Sequence, residues 1–314
     1  MERARDPSSK LPRVPIPYTG QLAALGTAGC WAASALAFEA AGRRIGSLAV
    51  NLLRLLVAFG LLTLVGWLAR GLPLPVDASR HAWLWLGISG LVGFAFGDLC
   101  LLRAFLVLGP RLSTLMMSLA PPMTALIGWL VLHETLSRRN LAGMAMTVAG
   151  IAWAVLERPA APGESSFQRP RHPLAGIALG AGGALGQAGG LVLSKLGMGS
   201  YNAFAATQVR VLAGIAGYAA ILAVLRWWPR VFSALRDPAA LGFTSIGAFF
   251  GPFLGVSLSL ISVQRTLTGV AASIMAMTPI LIIPAVVVLR KERVGIGGVT
   301  GAVVAVAGVV LLFL

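Results

Sequence analysis

Ten Asp and Glu side chains stand among 314 residues, against 25 Lys and Arg, and several of these charges interrupt long apolar stretches. The segment "FAFGDLCLLRAFLVLG" sets Asp98 and Arg103 inside one such stretch. A charge at the centre of a bilayer costs about 2.5 to 3.5 kcal/mol on insertion scales, so it needs a counter-charge, water or, for the carboxylate, a proton. Each of those needs is also a means of binding a cationic group or carrying a proton. Five residues apart, the two do not share a helix face as an i, i+4 pair would, so each is expected to meet other groups. Arg54 in "NLLRLLVAFG" and Arg210 in "ATQVRVLAG" lie only a turn or two inside their stretches. Snorkelling to the interface is the first expectation for both, with an ion pair or a substrate contact as alternatives. Trp31 offers an aromatic face for a substrate or cation, and Gln187 is an intramembrane amide that requires a partner or water. Trp31, Asp98, Gln187 and Arg103 are therefore the candidates for a substrate pathway.

Other charges close the apolar stretches. Glu39 and Lys195 end two of them, either as gate charges or as solvated interfacial groups. Glu134 in "LVLHETLSRRN" and Glu292 in "VVLRKERVGIG" end two more. Neighbouring Arg residues can satisfy Glu134 locally, so an architectural role is its main reading and a gate or transport ion pair the second.

The elements that carry these residues follow from composition. The chain is 57% hydrophobic and 11% charged, with mean hydropathy +0.86, against about 25% charged in soluble domains. It is read as an all-α polytopic membrane protein. Spanning the hydrocarbon layer takes about 20 apolar residues, and ten such stretches fall near 20–41, 47–69, 82–105, 111–132, 140–157, 173–194, 203–226, 239–262, 268–290 and 295–314. The basic, proline-rich start "MERARDPSSKLPRVPIPYTG" has no signal-peptide pattern, so residues 1–19 are expected to be a cytosolic tail. Cys30 and Cys100 lie inside predicted spans, and no disulfide framework is implied. The net charge of +15 is spread over short loops and helix ends. That distribution points to membrane orientation and anionic headgroups rather than nucleic acid.

Shifting the chain by 158 residues carries Glu134 onto Glu292, Pro121 onto Pro279, Gly93 and Gly97 onto Gly251 and Gly255, and Gly143 and Gly150 onto Gly301 and Gly308. Earlier in the halves a shift of 156 carries Arg54 onto Arg210, Gly26 onto Gly182, Glu39 onto Lys195 and Trp31 onto Gln187. Two copies of a five-helix unit are expected, over 20–157 and 174–314, joined by a polar linker over 158–173. An odd number of spans per unit makes the second copy enter from the opposite face. Inverted repeats of this kind build alternating-access transporters. Asp98 falls on Val256 and Arg103 on Ile261, so these two charges serve no symmetric scaffold.

A Trp in the first span, "NLLRLLVAFG" in the second, "GDLCLLRAF" ending the third, and "SLAPPMTALIGWLVLHETLSRRNLAGMAMTVAGIAW" together resemble the EamA repeat of the drug/metabolite transporter superfamily. The family usually places a small residue before the glutamate, where this chain has His133 and Lys291. The resemblance implies ten helices in two inverted repeats around a central cavity, moving amino acids, other metabolites or drugs across the inner membrane. The expected function is a secondary transporter, an exporter of a small polar metabolite or amino acid. The alternative is a flippase for lipid-linked or amphipathic substrates on the same scaffold.

An enzyme is disfavoured. No span carries a His cluster, an aspartate-rich pair or metal-ligand spacing, and His81, His133 and His172 all fall at loops or helix ends. No cofactor or metal is expected. The expected partners are membrane lipid, a small-molecule substrate and a coupling proton, with the chain acting as a monomer. Loop charges do not choose an orientation, with ten Lys and Arg inside and twelve outside when the N-terminus is inside. The first helix with its basic tail usually dominates, so both termini are expected in the cytoplasm.

Overall fold

The computed structural model describes residues 18–156, 173–290 and 295–314. Residues 1–17 of the tail, 158–172 of the linker, Lys291 and Glu292 lie outside the described residues. Every regular element described is helical. Among the described residues nine helices are long and apolar enough to cross a membrane: α1 Thr19–Ile45, α2 Ser47–Arg70, α3 Arg80–Leu108, α4 Leu112–Leu132, α5 Arg138–Leu156, α6 Leu174–Met198, α7 Ala203–Val224, α8 Pro238–Arg265 and α10 Ile296–Phe313. Between the last two lies a shorter apolar helix, α9 Thr268–Pro284. Helix ends move outward from the sequence expectation in two informative places. The first helix runs on to Ile45 and the sixth to Met198, so both Glu39 and Lys195 are followed by further helical residues. Between α1 and α2 only Gly46 intervenes, at φ 79° and ψ 151°, a conformation that belongs essentially to glycine.

The two halves interlock. The first helix of each half packs on the third and fourth helices of the other: α1 against α8 and α9, α6 against α3 and α4. The second helices pair as α2 with α7, the fourth as α4 with α9, and the fifth as α5 with α10. Glycine makes the last contact possible. A methyl on Gly143 would lie 3.0 Å from the Gly308 carbonyl, and one on Gly308 would lie 2.8 Å from that of Gly143. Gly150 and Gly301 face each other in the same reciprocal way. The repeat-equivalent glycines thus trade places across the contact, as residues do in a self-complementary interface. In lipid, apolar side chains gain little by leaving their surroundings, so close backbone approach at small residues carries the packing.

A second glycine ridge joins α6 to α3. A methyl at Gly190 would meet the Gly93 Cα at 3.0 Å, one at Gly97 would meet the Gly186 Cα at 3.2 Å, and one at Gly182 would meet the Cys100 Sγ at 3.2 Å. The ridge Gly182, Gly186 and Gly190 is therefore a packing edge. Beside it, Ser89 Oγ donates to the Gly190 carbonyl at 2.6 Å.

Local departures from α-helix also recur at 158 residues. Leu91–Gly97 and Phe249–Gly255 are π-helical within α3 and α8, and the second contains Pro252. Helical geometry breaks at Ser118 and Leu119, and again at Ala276 and Met277. Each break lies just before a proline, Pro121 or Pro279, whose missing N–H cannot continue the ladder. Hydroxyls take part in the repair: Ser118 Oγ donates to the Leu115 carbonyl at 2.6 Å, and Thr278 Oγ1 to that of Met275 at 2.8 Å. Irregular backbone at membrane depth is tolerated where it lines a cavity, and all four departures do so.

Candidate functional site

A cavity of about 490 Å³ lies between the halves and is lined by residues of both. Part of its polar wall comes from the irregular segments. Asp98 is the first residue after the π turn of α3, which re-aims the helix at that point. Trp31 reaches the cavity from α1 because Gly255 opposite it has no side chain; a methyl there would lie 2.8 Å from the indole Cδ1. Ser118, Pro121 and Thr124 from the break in α4 face Ala276, Thr278 and Pro279 from the break in α9. Gln187 from α6 completes this set, next to the glycine ridge.

Both arginines expected to snorkel face the cavity instead. Arg54 donates from Nη2 to Asp98 Oδ2, and the two side chains are 17% and 13% exposed. The Arg54 guanidinium also lies over the Phe38 ring, 5.2 Å from its centroid. Arg210 is 5% exposed and lies over the Phe94 ring at 5.2 Å. Gly93 makes room for it, since a methyl there would come within 3.3 Å of Nη2. The reason these side chains stay inside is local. Arg54 finds a carboxylate and an aromatic face on neighbouring helices, so it has no need to travel to the headgroups. Among the described residues no carboxylate reaches ion-pair distance of Arg210, and its Nε is buried without a hydrogen-bond partner.

Arg103 is exposed and is not among the residues lining the cavity. Asp98 and Arg103 therefore part company, as their five-residue separation anticipates, and Asp98 takes its cation from α2.

A second charged group sits at one end of the bundle. Glu134 Oε1 accepts from Lys195 Nζ at 2.6 Å, and Oε2 accepts from both the N–H and the hydroxyl of Thr268 at 2.7 Å. Lys195 also donates to the Thr266 carbonyl at 2.7 Å. The carboxylate thus caps the first turn of α9, where the helix dipole favours negative charge. Its partners come from distant elements rather than from the adjacent "SRRN" segment; Arg139 donates to the Leu314 carbonyl at 2.6 Å. His133 permits the turn into this position at φ 55°, while Glu134 N–H closes onto the Gly128 carbonyl. Thr268 was not evident from sequence, because its role depends on a helix start 134 residues away from Glu134.

Glu39 pairs with Arg43 at 2.7 Å near the end of α1, and Arg44 beside it reaches Asp237 at 2.8 Å. Asp237 also caps α8 by accepting from the Ala240 N–H at 3.0 Å, and these contacts hold its carboxyl below the ordinary range. At the other end of the bundle Asp77 accepts from the Tyr201 hydroxyl at 2.8 Å and from Arg70. The Tyr201 hydrogen bond and the Arg70 charge lower the Asp77 pKa. Among the described residues no cluster of His, Cys, Asp and Glu could hold a metal ion.

The family profile of the EamA-like transporter family matches residues 18–156 and 174–314, the two halves that the repeat delimits. A solved structure described only as a crystal structure of a protein superposes with a TM-score of 0.72 over 94% of this chain and 96% of that one, at 19% identity. That likeness is one of fold. No curated protein matches the chain.

Proposed function

The chain belongs to the EamA-like transporter family, and from that premise we propose that it is a secondary transporter carrying a small polar metabolite or amino acid by alternating access. The observation that carries this reading is the cavity between the halves, about 490 Å³, with Asp98, Gln187 and Trp31 on its wall. Sites of this size suit one small ligand. Midplane sites flanked by broken helices are a habit of repeat-built transporters.

Ten spans in two inverted units are part of the proposal. In support, α1 begins where α6 ends: Gly20 lies against Arg265 and Thr266, the latter bonded to Lys195. The reciprocal glycines of α5 and α10 and the 158-residue spacing of the π turns and helix breaks support it too. With both termini in the cytoplasm, the Glu134, Lys195 and Thr268 group lies at the cytoplasmic end, where it acts as a closed gate. Export from the cell across the inner membrane and coupling to a proton complete the reading.

The test is uptake into liposomes holding the purified protein, screening amino acids, nucleosides and cationic drugs with and without a pH gradient. Saturable uptake of a soluble solute is the expected result. Uptake of none, together with movement of a fluorescent lipid between leaflets, would favour the flippase. A cysteine replacing Ser166 in the linker should label from outside the cell; labelling only from the cytosol reverses the orientation.

A further inference from the structure

The two cavity arginines are repeat equivalents with unequal surroundings. Arg54 is neutralised by Asp98 on the third helix of its own half. The position equivalent to Asp98 in the second half is Val256, which also lines the cavity. Substitution of an acid by valine at that point leaves Arg210 without the partner that its twin has. Arg210 is 5% exposed, its Nε has no hydrogen-bond partner and its guanidinium lies over the Phe94 ring; the Asp98 charge acts on it from a distance, but among the described residues no carboxylate stands at ion-pair distance. A buried cation without a counter-charge is costly, and among the described residues the cavity holds two guanidinium groups against one carboxylate. The surplus is a single positive charge.

We propose that Arg210 is the binding site for the anionic group of the transported solute, and that the solute is a monoanionic carboxylate with an apolar body. The inference rests on the transporter reading and narrows it. A guanidinium matches a carboxylate in a two-point hydrogen bond, and one negative charge balances the cavity. Trp31, Phe38, Phe105, Met117, Met275 and Ile282 supply the apolar remainder of the wall. Asp98 is already spent on Arg54, so a ligand ammonium group finds no free carboxylate there. A net-neutral amino acid is therefore a poorer match than the corresponding acid without the amine.

Calorimetric titration of the full chain in detergent tests this without requiring transport. The probes are 3-phenylpropanoate, its amide, 3-phenylpropylamine and L-phenylalanine. The carboxylate should bind at least tenfold more tightly than the other three. Arg210→Gln should remove that preference while leaving weak binding of the amide. Val256→Asp, which supplies the missing acid and keeps the arginine, should also abolish binding of the carboxylate. Equal binding of acid and amide, tighter binding of the amine or of L-phenylalanine, no binding of any probe, or an acid preference that survives Arg210→Gln would each overturn the proposal. Selective binding of the acid with no uptake of any solute into liposomes would keep the site and remove the transporter. Uptake of neutral or cationic solutes without acid preference would do the reverse.

Discussion

The cavity group of Arg54, Asp98 and Arg210 and the end group of Glu134, Lys195 and Thr268 are made from the same ingredients, yet they are balanced differently. At the bundle end one carboxylate meets one ammonium and two further donors, and each oxygen is engaged. In the cavity one carboxylate meets one of two guanidinium groups. The first arrangement is complete in itself and holds helices together. The second is complete only with something else present. A protein that merely needed its helices joined would have no use for a second buried arginine.

That contrast is open to test by substitution, and the largest effect belongs to the cavity pair. Asp98→Ala leaves Arg54 buried without its acid and should cost about 3 to 5 kcal/mol, the range for breaking a buried ion pair, read as thermal unfolding in detergent. Adding Arg54→Leu should restore most of the loss, because removing both partners avoids the orphaned charge. Asp98→Asn keeps the shape; it should leave expression intact while solute uptake falls. Unchanged uptake in that variant would make Asp98 a structural partner of Arg54 alone.

At the bundle end the effect should be smaller and should divide unevenly. Glu134→Ala removes the acceptor for Lys195 and Thr268 together and should cost about 1.5 to 3 kcal/mol in all, the range for losing a hydrogen bond to a charged group, because the partly exposed Lys195 ammonium can turn to water. Lys195→Met should cost less, since Thr268 still holds the carboxylate. Equal losses from the two would mean that the ion pair, and not the helix cap, dominates. The exposed Asp77 pair is expected to matter least, at most about 1 kcal/mol after solvent screening. Its folded pKa is depressed, so its contribution is present above the ordinary carboxylate pKa and is lost as pH falls through the lower folded value. Asp77→Asn should therefore differ from the parent at neutral pH and converge with it in acid, when melting is followed from pH 7 downward.

Much of the architecture was legible because it rests on periodicity and repetition. Long apolar runs with few charges have one physical solution in a bilayer, and the 158-residue register located the glycines that now face one another in α5 and α10. Pro121 and Pro279 recur in that register, and the helix breaks beside them follow from proline's missing N–H. Trp31, Gln187 and Asp98 were picked out as polar or aromatic groups where lipid would not tolerate them, and all three line the cavity. The same reasoning misjudged Arg54 and Arg210. Depth along a helix does not decide between headgroup and cavity; the direction in which a side chain points around the helix does. Arg103 failed for the converse reason: it lies near Asp98 in sequence but is exposed.

What the sequence determined by itself was the class of protein, the two-unit organisation and the asymmetry of Asp98 against Val256, since all three depend only on residue type and spacing. The tertiary structure decided which charges meet. Glu134 finds Lys195 and Thr268 from 61 and 134 residues away, and Arg54 finds Asp98 across 44. Pairings of that kind are set by helix rotation and by which glycine lets two backbones come close, and neither quantity is carried by any local stretch of chain.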